Sequence, residues 1–403
     1  MSRTPHASTW FFVPVLAVLS ACVSEQSGRK RPLVRDSSGV RITESYGPAL
    51  GDLGTWGVDS VPKLSIGSAE GANLYQFYRI RDIVRLSDGR IVVANAGSGE
   101  ILLFSAAGQY VRSIGRAGPG PGEFRGLRRV FVTQYDSLVV VDLGGVSIFD
   151  SAGTFVRGLP FGPRGANGRF SDGSFLLVTF QSLTALDALG LARDQMALVR
   201  IRGDGPRVDT LMLAAGSQRF SLQHEGGVST YDAPFGPVLS VAVSGSQFFV
   251  GDGTTFRIER RYSNGNLLGV IQAPTTDRRV RAEDIEEYET SLRMRPQNQT
   301  LRVQLERAIR EWEYPSAFPA FDRLLVDSDS ALWVRRYRKP TDTETTWSVF
   351  DSTGSWLVDI VMPEGLVPYT IDDSTVVGVM TDTLGVEYVR VHRLRKSQGK
   401  SEA

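Results

Sequence analysis

The side chains best able to do chemistry in this sequence are oxygen ligands and arginines. Asn95, Asp142 and Asp252 each follow a short apolar run that reads as a strand, at matching offsets. Carboxylate and amide oxygens converging from three such places would suit Ca²⁺, which takes roughly six to eight oxygen ligands in flexible geometry. The same residue types equally suit Asx turns, in which the side-chain oxygen accepts from backbone amides close by. The corresponding place in a later unit reads as Arg335 or Arg336, a poor neighbour for a cation. No cofactor is therefore expected, with Ca²⁺ as the alternative that these oxygens would suit.

Arg79, Arg81, Arg128, Arg129 and Arg323 cluster at the starts of apolar runs, mostly soon after Phe77, Phe124 and Phe321. Guanidinium groups gathered at one entrance would hold carboxylate or phosphate through paired hydrogen bonds. Alternatively, each arginine pairs with a nearby acid such as Asp82, Glu123 or Asp322. Other chemistries lack their residues. Of three histidines, His6 is near the N-terminus, and His224 and His392 are far apart without a zinc spacing. There is no glycine-serine-glycine nucleophile elbow opening a helix. The glycine-rich run Gly115 to Gly122 lacks the Lys-Ser/Thr and helix of a phosphate loop. Binding is expected over catalysis, with an ion-dependent hydrolase as the alternative.

The elements that must position these residues follow from the pattern. With 403 residues, 41% hydrophobic and 22% charged, the chain has a globular composition. Its 45 basic and 44 acidic residues leave a net charge of +1, so no long-range field draws nucleic acid, and a monomer is expected. Apolar runs rich in Val, Ile, Leu, Phe and Tyr alternate with Gly, Asp, Ser and Asn turns, the pattern of short antiparallel strands. The clearest unit predicts strands at Ile80 to Leu86, Arg90 to Ala94, Glu100 to Phe104 and Tyr110 to Ile114. Its first turn, Ser87-Asp88-Gly89, has counterparts at Tyr135-Asp136-Ser137, Ser171-Asp172-Gly173, Ser244-Gly245-Ser246, Ser328-Asp329-Ser330 and Asp372-Asp373-Ser374. Six such turns predict six four-stranded units. A sheet that cannot cover both faces alone packs radially on its neighbours, so the expectation is a closed six-bladed β-propeller over residues 40–395.

Ring closure explains a duplicated phrase. VRSIGRAGPGPGEF at Val111 to Phe124 has a near copy, KLSIGSAEGANLYQF, at Lys63 to Phe77. The first joins a fourth strand to the next blade. The second has no blade of its own, while the last unit, with strands at Val376 to Met380 and Glu387 to Leu394, ends without a fourth strand. Pairing Lys63 to Ile66 with that C-terminal blade satisfies its open edge. A strand at Val40 to Thr43 is expected either outside this one or in its place. Residues Arg281 to Trp312 break the strand pattern, placing Ile285, Tyr288 and Leu292, then Leu301, Leu305 and Ile309, at helical spacing on either side of Pro296. They predict a helical insertion at about 278–313, serving as a cap on one edge of the ring or as a lid or partner-binding surface.

Val92 to Gly97 followed by Ile101 to Phe104 resembles the NHL repeat, most clearly over Arg79 to Arg157. The whole resembles bacterial six-bladed propeller lipoproteins, which implies the fold and leaves the activity open. A calcium site at Asn95, Asp142 and Asp252 would resemble those of propeller lactonases. At the N-terminus, Arg3 and His6 precede the apolar run Trp10 to Leu19, too short to span a bilayer. Leu19-Ser20-Ala21-Cys22 resembles the lipobox of bacterial lipoproteins, in which the cysteine is lipidated. That resemblance implies a signal peptide over 1–21, a lipid on Cys22, and a flexible tether over 22–39. It also implies an envelope location, with the outer membrane favoured because Val23 replaces the retaining aspartate. Cys22 is the one cysteine in the chain, so no internal disulfide forms. Residues 396–403 read as a frayed tail. The partners expected are the membrane, through the lipid, and a protein or envelope polymer.

Overall fold

A computed structural model describes residues 32–49, 56–159, 165–180, 189–203, 207–224, 227–275, 277–294 and 299–396. Four short strands come first: β1 (Leu33–Ser37), β2 (Val40–Glu44), β3 (Trp56–Val58) and β4 (Leu64–Ile66). Blade one then follows as β5 (Ile80–Arg85), β6 (Ile91–Asn95), β7 (Glu100–Phe104) and β8 (Tyr110–Ile114), close to the strands read from sequence. Blade two comprises β9 (Leu127–Val132), β10 (Leu138–Asp142), β11 (Val146–Phe149) and β12 (Phe155–Leu159). Blade three has β13 (Gly168–Arg169), β14 (Phe175–Phe180), the long β15 (Gly190–Ile201) and β16 (Val208–His224), and β17 (Gly227–Asp232). Blade four has β18 (Ser240–Ser244), β19 (Gln247–Gly251), β20 (Arg257–Tyr262) and β21 (Leu267–Gln272). After helices α1 (Ala282–Met294) and α2 (Gln299–Glu311), blade five has β22 (Phe321–Val326), β23 (Leu332–Arg336), β24 (Thr345–Phe350) and β25 (Trp356–Met362). Blade six ends the chain with β26 (Val367–Ile371), β27 (Thr375–Thr381) and β28 (Glu387–Lys396).

These strands form six separate meander sheets, and the fold is a six-bladed β-propeller. The second strands β6 and β10 are buried at every position, because each has a blade on either side. An apolar core fills each of the six gaps. Phe104 and Val389 share one between blades six and one, Ile114 and Phe149 another between one and two. Val141 with Phe175, Leu198 with Phe248, Phe256 with Leu332, and Trp347 with Leu394 mark the rest in order.

The ring closes as the duplicated phrase requires. β4 lies antiparallel on β28, with Leu64 opposite Val391 and Ile66 opposite Val389, and Ile66 is buried between blades six and one. β3 extends this edge, pairing Val58 with Leu394 and Trp56 with Lys396. The two copied connectors do the same work. Phe77 packs edge-on against Phe104 at 5.8 Å, and Phe124 packs on Phe149 at 5.9 Å. Both begin at a glycine in the left-handed region, and at Gly115 (φ 66°) an added Cβ would lie 2.4 Å from the Phe124 ring.

Three sequence expectations are corrected. The tether expected over 22–39 does not reach Gly39, since Leu33–Ser37 is β1, in a hairpin with β2 through the Ser38-Gly39 turn. Every β1 side chain is exposed, so no apolar alternation marked it. Its extension comes from backbone pairing with β2, which in turn lies parallel on β21. The early strand thus neither joins nor displaces β4 but widens blade four to six strands. At the other end, residue 396 belongs to β28, and the Lys396 ammonium lies 2.6 Å from Asp329 and 5.0 Å from the centre of the Trp56 ring. Cys22, Pro296 and residues 397–403 lie outside the described residues.

The helices pack on the outer strands of blade three. Leu292, Ala308, Ile309 and Trp312 bury against Phe220 and Leu222 of β16. Asp284 ties the pair toward blade five, accepting from Thr341 Oγ1 at 2.8 Å. Among the described residues, no helix is long and apolar enough to cross a membrane.

Candidate functional site

The arginines gather where the inner strands begin. In blades one, two and five the inner strand carries a bulge at the same place, one residue past its first pair. The extra residues are Arg81, Arg128 and Asp322, and those after them are Asp82, Arg129 and Arg323. Bulges re-aim side chains at sheet ends, and here they set charged groups at the same end of three inner strands. Blade six contributes Tyr369 from a bulge of its own.

Pairing sorts the set. Asp82 is buried, receives amides from Ile83 and from Val130 of blade two, and lies 3.0 Å from Arg129 Nε. Burial pushes its carboxyl up, with Arg129 opposing. Asp322 accepts from Arg335 Nε at 2.6 Å, and Glu123 holds Arg116. The acid-pairing alternative thus holds for Arg129, but Asp322 and Glu123 are taken by arginines outside the candidate set. Among the described residues Arg323 donates to the Pro368 carbonyl alone, at 3.0 Å, and lies 5.8 Å from the Tyr369 ring centre. Burial first, and then the like charge of Arg335, depresses its pKa. Arg79, Arg81 and Arg128 are exposed and make no side-chain hydrogen bond or ion pair among the described residues. Arg323 lies in the field of Arg335 and Arg129 as well as Asp322, and a guanidinium whose one hydrogen bond among the described residues is to a carbonyl has donors left for an oxyanion.

Asn95, Asp142 and Asp252 are occupied by turn amides. Asn95 Oδ1 accepts from Tyr78 N at 3.1 Å, and Asp142 Oδ2 accepts from Arg125 N, so both hold the incoming connector by the same bond. Asp142 Oδ1 also receives the amides of Gly144 and Gly145, each at 2.8 Å. Asp252 is not at the equivalent place: register puts Gly251 there, opposite Ser240. Asp252 accepts from Thr254 N and pairs with Arg193 of blade three at 3.2 Å. Arg336 takes the equivalent place in blade five, opposite Phe321, and lies 4.8 Å from the Trp356 ring centre. The separation follows from geometry, since each oxygen is spent on its own blade's turn or on a neighbouring guanidinium. Among the described residues no three His, Cys, Asp or Glu side chains gather as around a metal ion. His224 meets Ser229 Oγ, and His392 is buried in blade six.

Sequence reading named Arg335 only as an alternative to Arg336 and missed both its pairing with Asp322 and the place of Tyr369 beside Arg323. The offset of Arg335 from its turn was visible, but its reach to Asp322 depends on the bulge. The signal for Tyr369 was weaker, because the blade-six bulge sits nearer its turn.

A family model described as a 6-bladed beta-propeller matches residues 76–154, covering blade one and most of blade two. No curated protein matches the sequence. Among solved structures, a member of the DUF4221 family from Bacteroides vulgatus is 10% identical, covers 85% of this chain and 99% of its own, and superposes with a TM-score of 0.47. A Bacteroides fragilis protein proposed to be exported is 13% identical over 87% of this chain and 98% of its own, with a TM-score of 0.45. A gluconolactonase from Xanthomonas campestris is 13% identical over 84% of this chain and 100% of its own, with a TM-score of 0.39. These likenesses extend no further than the fold.

Proposed function

We propose that the protein is a non-catalytic binding propeller of the bacterial envelope, and that its channel mouth holds a carboxylate or phosphate borne by an envelope component. The observation that carries this reading is the set of Arg81, Arg128 and Arg323, none of which has an acid partner among the described residues. Attachment through a lipid on Cys22 keeps the mouth at the envelope. The Leu19-Ser20-Ala21-Cys22 pattern supports that part, and several acyl chains give lasting attachment where one does not. A Cys22→Ser variant is expected to leave the membrane fraction for the soluble one, and equal partitioning of the two proteins would discard the anchor.

The binding part is tested by titrating the protein calorimetrically with oligoglutamate and with a phosphorylated oligosaccharide. Charge-assisted pairs with guanidinium are among the stronger hydrogen bonds, so the Arg81→Glu, Arg128→Glu double variant is expected to weaken binding by about tenfold or more. Equal affinities in the double variant and the parent would sink the reading.

A further inference from the structure

A second group of arginines lies between blades two and three, away from the channel. A cavity of about 640 Å³ opens there, within the usual size of small-molecule sites. Its polar lining includes Arg157, Arg169, Arg200, Arg202, Asp172 and Ser174, over an apolar floor that includes Phe175. Four guanidiniums thus face one carboxylate lining the same space.

The repeat supplies an internal control. Arg157 lies opposite Ile148 as Arg112 lies opposite Leu103, so the two occupy one place in successive blades. Arg112 latches blade one to blade two by donating to the Ala152 carbonyl at 2.8 Å. In the same manner Arg200 reaches Ser263 of blade four, and Arg260 reaches Ser352 of blade five. Arg157 makes no such latch and has no partner among the described residues. Arg169 likewise occupies the place of Arg85, each facing the first residue of its second strand. Arg85 is answered by Asp372 at 2.7 Å. The acid near Arg169 is Asp172, which is taken up by Arg200 and by the amide and hydroxyl of Ser174.

Arg169 Nε and Arg202 Nε are buried without a hydrogen-bond partner among the described residues. The acid nearest Arg202 is Asp209 at 3.9 Å, which also takes Arg207. Both side chains line the cavity, and neither spends its Nε on an acceptor among the described residues, which is expensive for a buried donor and leaves the guanidinium free to turn toward a ligand.

We infer that this interblade cleft binds a small polyanion, with two oxyanion groups on a compact body, held by Arg157, Arg169 and Arg202. Arg200 is fixed by Asp172, Ser174 and Ser263 and forms the wall. Phosphate and carboxylate each present an edge of two acceptor oxygens that the planar guanidinium fork recognises, so the ligand is a phosphate ester, a phosphoanhydride or a polycarboxylate.

The test titrates the full chain with pyrophosphate, a hexose bisphosphate and citrate as separate probes. At least one is expected to bind saturably at millimolar concentration or below, and the probe that does so identifies the oxyanion. Arg157→Ala, an exposed and unpaired position, is expected to weaken that binding about tenfold, and Arg169→Met by at least as much. The saturable phase that Arg157→Ala weakens is expected to persist with unchanged affinity in the Arg81→Glu, Arg128→Glu background, where the mouth no longer contributes, and this separates the cleft from the channel mouth. No saturable binding by any probe would overturn the assignment, as would binding that the channel variant abolishes or that Arg157→Ala leaves unchanged. If Arg169→Met does not fold, Arg157→Ala decides alone.

Discussion

Arg79 has φ 58°, in the left-handed region where a side chain strains the backbone. The turn that imposes it is well defined, for its carbonyl accepts from Ala96 N and the preceding Tyr78 carbonyl accepts from Gly97 N. At the matching place blade two has Gly126 at φ 149°, which shows that the connector works with no side chain there. Retaining arginine at such a place makes sense where the guanidinium is wanted at the mouth. Arg79→Gly is therefore expected to raise stability by about 0.5–1 kcal/mol, the strain relieved less the extra freedom of an unfolded glycine. The same variant is expected to weaken binding of the anionic probes at the mouth. Urea unfolding and calorimetry read the two effects separately, and a loss of stability would show that the side chain supports the fold instead.

At the scale of strands, what the sequence displays depends on which forces are local. The turns at Ser87-Asp88-Gly89 and its counterparts were legible because their chemistry is local: Asp88 Oδ1 accepts from Arg90 N two residues on, as Asp372 does from Ser374 and Asp172 from Ser174. Second and third strands, flanked by blades on both sides, read as nearly unbroken apolar runs, hence the close match at β6 and β7. β1 was invisible because its conformation is borrowed from β2 and its side chains stay in water. The one-residue error at Asp252 has a similar origin, since β18 lacks the bulge that shifts register in blades one and two. The arginines were legible as a group but not as individuals. Whether a guanidinium meets an acid depends on contacts across blade boundaries, such as Arg129 with Asp82 and Arg85 with Asp372. For the cleft at Arg157, the sequence shows the repeat position but not the missing latch.

For the whole molecule, closure is the step on which every other feature rests, because the last blade is completed by the first part of the chain. Loop closure across more than three hundred residues carries a large entropic cost, and β3 and β4 offset it only while they hold β28. His392 sits at this junction, fully buried, with Nδ1 2.8 Å from the Asp59 carbonyl in the connector between β3 and β4. A carbonyl only accepts, so Nδ1 carries the proton and donates. Nε2 is then bare, and it is buried without a partner among the described residues. Burial pushes the imidazole pKa down; the Asp59 carbonyl opposes this and the Arg390 charge adds to it. With a folded value below the ordinary one of about 6.5, the unfolded chain binds the extra proton first. The stabilisation is thus complete above about pH 6.5 and is lost as pH falls through the folded value. The urea midpoint is expected to drop between about pH 7.5 and 5.5, ahead of carboxylate titration, with hydrogen exchange rising first at the amides of β3 and β4. His392→Asn, which keeps a donor for Asp59 but cannot take up a proton, is expected to flatten that slope. A midpoint that falls equally in the variant would place the acid sensitivity elsewhere in the ring.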